Sequence, residues 1–365
     1  MVKIFHEKIT IILSIILLIV AGVSLFFVLQ KPKQIEISSS DNNEKSPPSF
    51  NPSLLKWEEA VSEGSWSARD AHSVVVFKDK MWLMGGLEGK KEKGQEVMYG
   101  DMPHKDDVWS SEDGINWQLV TEHAKWQKRR SCPVVVFKDK MWLFGGWYQE
   151  TWGDYKNDAW YSEDGKNWIE AARSAEWSAR EGHAVVFFKD KIWLAGGVDF
   201  YSRKTFNDVW YSEDGIHWEE ATSDAGWSPR YDHALIAFQD KLWLIGGLNF
   251  NNDIKDDVWS SEDGINWQLV TDKPAWSSRH GHALVVYKDL LWIISGWDQK
   301  GGIAEVWYTA DGKNWEKPKA KVPWFGREDH AAVVFDDKIW LMGGMADTAK
   351  DWVWKNDVWY STFTP

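Results

Sequence analysis

The chain has 365 residues, of which 44% are hydrophobic and 27% charged, a balance typical of a globular fold and not of a disordered or multi-span membrane protein. Its formal charge of −13 argues against a nucleic-acid-binding protein, because phosphate recognition requires a basic surface. A single cysteine, Cys132, excludes both an internal disulfide and a cysteine-based zinc site.

The N-terminal segment predicts one membrane helix. Residues 9–29 are apolar apart from a glycine, a threonine and two serines, and a helix of this length spans ~31 Å, close to the thickness of a bilayer core. A cleavable signal peptide has a shorter apolar region that ends at small residues, and this segment has no such end. We therefore expect residues 1–30 to form a single-pass anchor with the rest of the chain outside the cytoplasm. The alternative is secretion after signal cleavage.

Residues 31–53 are polar and contain several prolines, which predicts a flexible linker. Residues 54–365 then contain an internal repeat of about 50 residues. The unit reads approximately W-S-x-R-x-x-H-A-V-V-x-F-K-D-K-x-W-L-x-G-G, followed by a variable stretch and N-D-V-W-Y-S-E-D-G-x-x-W. Its arginine recurs as Arg69, Arg129, Arg180, Arg230, Arg279 and Arg327.

Each unit contains four short strand-like runs, separated by polar K-D-K and E-D-G turns and by the variable stretch. Six four-stranded units predict an all-β fold, a six-bladed β-propeller. The repeat also explains the 29 tryptophans, most of which occupy four framework positions per unit. We expect these framework rings to pack between the blades.

The two ends of the repeat region predict how the ring closes. The sixth unit stops at DVWYSTFTP and lacks a fourth strand, whereas the segment KWEEAVSEGSWSAR at 56–69 parallels HWEEATSDAGWSPR at 217–230. We therefore expect the strand around Trp57 to form the outer strand of the sixth blade.

These motifs resemble kelch repeats, which have paired glycines after an apolar strand, an aromatic residue in the third strand and a tryptophan in the fourth. The resemblance covers about 310 residues. It implies the fold of the galactose oxidase central-domain and kelch superfamily, and the six-bladed architecture is similar to that of the sialic acid mutarotase N-acetylneuraminate epimerase. Because kelch propellers serve as scaffolds, protein binders and a few enzymes, the resemblance leaves the function open.

Differences in length between the units locate a functional face. Only the link from the second strand to the third varies, between 10 and 22 residues, and loops of variable length on a fixed scaffold commonly carry function. These links and the repeat arginines are expected on one side of the propeller, which we call the loop face. The K-D-K and E-D-G turns should lie on the opposite side, the turn face.

The links of the loop face contain aromatic residues with polar neighbours, a combination that suits a sugar ring or a protein hot spot. The candidate ligand-binding residues are Trp147, Tyr148, Trp152, Tyr155, Phe200, Tyr201, Phe250, Trp297, Trp352 and Trp354, together with Arg130 and the six repeat arginines. Two structural alternatives stay open. In the first, the aromatic rings pack beneath their own loops and do not contact a ligand. In the second, each repeat arginine pairs with the acid that precedes the third strand of its unit.

Five histidines follow the repeat arginines by three residues, and Cys132 takes their place in the second unit. One residue per blade cannot converge on a metal ion, so we expect a structural role and neither a metal nor another cofactor. Motifs of hydrolases and nucleotide-binding enzymes are absent from the sequence.

The sequence therefore favours a monomeric binding module, without nucleic acid as a partner, that holds a glycan or a protein at the loop face. The alternative is a sugar-converting enzyme of the mutarotase or epimerase type, or a glycan-cleaving enzyme. A mutarotase would need an acid–base carboxylate or histidine and a carboxylate-binding arginine.

Overall fold

A computed structural model describes residues 50–89, 102–148, 154–348 and 350–363. The predicted membrane segment 9–29 and the linker up to residue 49 lie outside these ranges. Across the described ranges, no helix combines the length and the apolar character needed to cross a membrane. These ranges contain one short 3-10 helix, Pro52–Leu54, and are otherwise built of strands and turns.

The described strands form six antiparallel blades, one per repeat, which confirms the predicted propeller. From the inside outwards the blade strands are Ser73–Phe77, Lys80–Met84, Val108–Ser111 and Gln118–Thr121; Val134–Phe137, Lys140–Trp147, Tyr155–Ser162 and Trp168–Ala172; Ala184–Phe188, Lys191–Ala195, Val209–Ser212 and Glu219–Thr222; Ala234–Phe238, Lys241–Ile245, Val258–Ser261 and Gln268–Thr271; Ala283–Tyr287, Leu290–Ile294 and Val306–Thr309; and Ala331–Phe335, Lys338–Asp347, Trp352–Phe363 and Leu55–Val61.

Two-residue strands extend several blades toward the loop face. They are Arg69–Asp70 with Leu87–Glu88, Val198–Asp199 with Lys204–Thr205, Trp297–Asp298 with Gly301–Gly302, and Arg327–Glu328 against Lys338–Asp347. The fifth blade is irregular, because its fourth strand is reduced to a bridge between Tyr308 and Glu316. The segment after this bridge contains Pro318 and Pro323, which cannot donate ladder hydrogen bonds.

The first strand of each blade contacts the first strands of both neighbouring blades, and the sixth blade contacts the first. These six strands therefore surround the propeller axis in a closed ring. Because every blade repeats the same order of strands, the ends of second strands and the starts of third strands lie on one side of the ring. The loop face predicted from the variable links is thus a single surface around the axis.

The N-terminal strand closes the ring, as the sequence predicted. Leu55–Val61 pairs antiparallel with Trp352–Phe363, and Trp57 lies opposite Ser361. The Trp57 ring packs edge-on against Trp324, with 4.7 Å between the ring centroids. The first and last described strands therefore share the sixth blade.

Framework tryptophans join neighbouring blades, also as predicted. Trp82 in the second strand of the first blade packs on the E-D-G turn of the second blade, where a Cβ atom on Gly165 would lie 2.0 Å from the indole ring. Gly165 also has a φ of +71°, a conformation that other residues adopt at a cost in free energy. The same contact joins Gly215 to Trp142 and Gly264 to Trp193. The glycine of the turn is thus required by the ring of the preceding blade.

Deleting residues 54–63 should remove the outer strand of the sixth blade and expose the edge of Trp352–Phe363. Exposed strand edges pair with other chains, so we expect a lower thermal midpoint and aggregation that increases with protein concentration, measured by light scattering. Glu59→Ala, at an exposed position of the same strand, is the control and should leave both properties unchanged. A deletion variant that stays monomeric with an unchanged midpoint would contradict the closure.

Candidate functional site

The six repeat arginines are held in the framework of the propeller, each at most 1% exposed. In the third blade, Arg180 donates to both carboxylate oxygens of Asp208, at 2.5 and 2.8 Å, and to the carbonyl of Gly196 at 2.9 Å. The indole of Trp210 donates to the same carboxylate at 2.9 Å. Four other blades repeat this arrangement with the pairs Arg69–Asp107, Arg129–Asp158, Arg230–Asp257 and Arg327–Asp357. These guanidinium groups are engaged in the framework as the structural alternative describes.

The fifth blade has a looser pair. Arg279 lies 3.7 Å from Glu305, which also accepts a hydrogen bond from Lys317 at 2.6 Å. Within the described residues, Nη2 of Arg279 has no hydrogen-bond partner, and burial lowers the pKa of this arginine to about 10. The fifth blade therefore has the weakest of the six framework ion pairs.

The residue after each repeat arginine faces the propeller axis. In every blade its backbone pairs with the residue that follows the second strand's paired-glycine position. These six residues are Asp70, Arg130, Glu181, Tyr231, His280 and Glu328. Together with Asp232, Asp329 and loop residues they line a cavity of about 630 Å³ at the centre of the loop face. We call this cavity the funnel.

The next residue in each blade forms the floor of the funnel. Ala71, Ser131, Gly182, Asp232, Gly281 and Asp329 all have a positive φ, between 47° and 62°. Around the axis, the N–H group of one floor residue donates to the carbonyl of the floor residue of the preceding blade, in five links of 2.8 to 3.0 Å. These five backbone hydrogen bonds fix the height from which the side chains of the funnel project.

The five repeat histidines lie beneath the floor and are buried. Each packs toward the preceding blade; a Cβ atom on Gly196, for example, would lie 2.6 Å from Cε1 of His233. Burial, followed by the charge of Arg230, lowers the pKa of His233 to about 3. This ring is therefore neutral near neutral pH. In the part of the chain that the structure describes, no group of three or more histidine, cysteine or acidic residues is arranged to hold a metal ion.

Acidic groups dominate the funnel. Among its described residues, five carboxyl groups face one guanidinium, that of Arg130; they belong to Asp70, Glu181, Asp232, Glu328 and Asp329. Nε of Arg130 lies 3.1 Å from Glu181, and its guanidinium stacks over the ring of Trp147 at 4.9 Å. One cation cannot neutralise the whole group, so the funnel has an excess of potential negative charge.

Burial perturbs these carboxyl groups strongly. Burial, followed by the charge of Asp329, raises the pKa of Asp70 to about 7. Burial likewise raises the pKa of Asp329 to about 6, although Arg130 opposes the shift. The pKa values of Asp232 and Glu328 also lie well above the ordinary range, because of burial and the nearby Asp329. The carboxyl groups of Asp70 and Asp329 therefore gain and lose protons near neutral pH.

Asp70 is the most constrained of these acids, at 2% exposure. Its Oδ2 accepts a hydrogen bond from the indole of Trp354 at 2.9 Å. Its Oδ1 is buried and has no hydrogen-bond partner on another described residue. A buried polar atom without a partner is costly in free energy, so this oxygen is a candidate for contact with a ligand.

The predicted aromatic residues divide by exposure. Trp352 and Tyr201 are 49% and 74% exposed, and Phe200 is 38% exposed. Tyr148, Tyr155, Phe250 and Trp297 are half-buried, whereas Trp147 and Trp354 are buried beneath the loops. Trp152 lies outside the described residues. The funnel brings together Phe200, Trp297 and Trp352.

Sequence reasoning identified Arg130 but missed the other charged residues of the funnel. These are Asp70, Glu181, Asp232, Glu328 and Asp329, and Tyr231 lies with them. A signal was present, since two positions between the constant arginine and the histidine position differ from unit to unit. Variation inside an otherwise constant segment indicates that the repeat uses the backbone of these positions and leaves their side chains free to differ.

Comparison with known families supports the repeat assignment. A family model described as the KLHDC2/KLHL20/DRC7 Kelch-repeats domain matches residues 38–247 and 182–364. A comparison with curated proteins finds no significant match.

Arg180→Leu should be more destabilising than Arg279→Leu. The first change leaves Asp208 without its bidentate partner, a loss of roughly 3–5 kcal/mol for a buried pair. The second disrupts the looser pair of the fifth blade, whose acid keeps Lys317, and should lower the free energy of unfolding by less. Urea denaturation of the two variants measures the difference. Equal losses would show that the distance between arginine and acid does not determine stability here.

Asp329→Asn should stabilise the protein at alkaline pH and not at acid pH. Because the folded-state pKa of Asp329, about 6, lies above the ordinary 3.8, this group makes folding less favourable as the pH rises from about 4 through about 6. Asparagine removes that effect, so we expect at most about 3 kcal/mol of added stability near pH 8 and little difference near pH 4. Asp190→Asn, with a similar positive φ but exposed on the turn face, is the control. A gain that is the same at both pH values would contradict the assignment.

Proposed function

Because the chain belongs to the kelch-repeat family, we propose that it is a binding module that holds a partner protein at its loop face, with the funnel at the centre of the interface. Kelch propellers commonly bind proteins. The observation that carries the proposal is the funnel itself, to which each of the six blades contributes a side chain from the same backbone position. Those side chains differ between blades, as a specific surface requires.

Exposed aromatic side chains support this choice of face. Trp352 and Phe200 lie at the funnel, and Tyr201 follows Phe200 in the same loop. Protein interfaces draw much of their binding energy from a few such residues, which bury large apolar areas while keeping polar contacts.

The sequence supports attachment of this module to a membrane. The apolar segment 9–29 is long enough to span a bilayer, and a single N-terminal segment of this kind ordinarily directs export of the residues C-terminal to it. We propose that residues 9–29 anchor the protein and that the propeller acts outside the cytoplasm.

The acidic charge of the funnel makes a sugar acid a less favourable ligand than a partner protein. A sugar acid of the kind that a mutarotase converts would bring a further carboxylate into a funnel with five carboxyl groups and one arginine among its described residues. Arg130 is also paired with Glu181. A neutral glycan would meet no such repulsion and is the second candidate, because the exposed Trp352 and Tyr201 could stack on its rings.

Site-specific photo-crosslinking in the full-length, membrane-located protein tests the proposal. A benzophenone amino acid at position 352 should form an adduct with a partner protein, whereas the same group at position 265 should not. Ile265 is the matched control, since it is 48% exposed and lies in an E-D-G turn of the turn face. Mass spectrometry identifies the adduct.

If the same partner is crosslinked equally at both positions, or only at position 265, the assignment of the binding site to the loop face is contradicted. Retention of a glycan by the purified protein, lost in Trp352→Ala, would assign the loop face to a glycan instead.

A further inference from the structure

The acidic and aromatic residues of the funnel indicate which kind of side chain a partner protein would place there. We propose that it recognises a basic side chain, a lysine ammonium or an arginine guanidinium, that the partner protein inserts along the propeller axis. This inference rests on the proposed function, because it specifies what the loop face holds at its centre.

The described residues of the funnel include more acidic groups than basic ones. Arg130 donates to Glu181 at 3.1 Å, and its charge also opposes the raised pKa values of Asp70, Asp232, Glu328 and Asp329. One guanidinium is therefore shared among the five carboxyl groups of the described cavity. His280 lies 3.2 Å from Glu328, but burial lowers the pKa of this histidine to about 4, so it is neutral near neutral pH. A cation that enters the funnel would relieve the repulsion among these carboxyl groups.

Asp70 lines the funnel with one of its carboxylate oxygens unpaired by other described residues. Its Oδ1 is buried and lacks a hydrogen-bond donor on any other described residue, while Trp354 holds Oδ2 at 2.9 Å. The indole therefore fixes the orientation of the carboxylate and leaves one oxygen for a donor from outside. Ammonium and guanidinium groups are the donors that form the strongest hydrogen bonds to a carboxylate.

Aromatic rings form part of the wall of the funnel. Trp297 and Trp352 meet edge to face at 5.9 Å, and Phe200 and Tyr231 meet in the same way at 5.2 Å. These rings line the cavity that contains the acids. Aromatic faces attract organic cations and also pack against the methylene groups of lysine and arginine.

Other ligands fit the funnel less well. A divalent metal ion needs several oxygen atoms converging at about 2.0–2.6 Å, and the described residues contain no such group. An anion would be repelled by the acids. The cavity of about 630 Å³ is within the usual range for a small ligand, roughly 300–1,000 Å³, and exceeds what a lone inorganic ion would fill.

Binding should be linked to proton release. The charged and titratable groups that face one another across the funnel are Asp70, Glu181, Asp232, Glu328, Asp329, Arg130, Tyr231 and His280. Because burial raises the pKa of Asp70 to about 7 and that of Asp329 to about 6, these two groups lose their protons as the pH rises from about 5 to about 8. A cation should therefore bind more tightly near pH 8 than near pH 6.

Three small probes and the full-length protein in a non-ionic detergent test the inference. The probes are Nα-acetyl-arginine amide, Nα-acetyl-lysine amide and the neutral isostere Nα-acetyl-citrulline amide, with dissociation constants measured by NMR titration. We expect at least one of the two cations to bind about tenfold or more tightly than citrulline near pH 8. Asp70→Asn should weaken the binding of that cation about fivefold or more, and Asp190→Asn, on the turn face, should not.

Asp70→Asn keeps an oxygen that can accept from Trp354, and a thermal midpoint at least equal to that of the wild-type protein shows that it is folded. Citrulline binding as tightly as both cations, or cation binding unaffected by Asp70→Asn, would overturn the inference. If a partner protein is crosslinked at position 352 but the three probes bind equally well, the proposed function stands and this inference alone is refuted. If the protein binds a cationic probe more tightly than citrulline but forms no protein adduct at position 352, the proposal that the loop face holds a partner protein is refuted instead.

Discussion

The ion pair between each repeat arginine and the acid before the third strand is the interaction on which the loop face depends. In the third blade, Arg180 joins the start of the first strand to Gly196 after the second and to Asp208 before the third. A buried ion pair offsets its desolvation only when its hydrogen bonds are complete, and Trp210 completes this one. Because the pair holds the loop-face ends of three strands together, the residues that follow the arginine emerge at the funnel in every blade.

Much of the fold could be predicted because its determinants are repeated. Tryptophans and turn glycines recur at fixed spacing, and the spacing around Trp57 identified the closing strand, which the structure confirms. The funnel was missed for the opposite reason, since Asp70, Glu181 and their counterparts are chemically different in each unit. The burial of Trp354 was equally hidden, because its hydrogen-bond partner, Asp70, lies 284 residues away in the sequence.

The acids of the funnel disfavour the folded state, whereas the proposed binding of a cation would use their charge. Like charges close together and an unsatisfied carboxylate oxygen both disfavour the folded state. The rigid floor of backbone hydrogen bonds tolerates this strain, because the side chains above it can change while the links of 2.8 to 3.0 Å remain. A scaffold of this kind can vary the side chains of the funnel by changing two residues per blade.

The shared sheet of the first and last strands has a consequence for how the chain folds during synthesis. Glu58 and Tyr360 share a hydrogen bond although 302 residues separate them, so the strand Leu55–Val61 has no partner until Trp352–Phe363 has been synthesised. The intermediate blades can stack in sequence, each on its predecessor, as in an open solenoid. Ring closure is then the last event, and until it occurs both ends of the array offer strand edges that chaperones or other nascent chains can occupy.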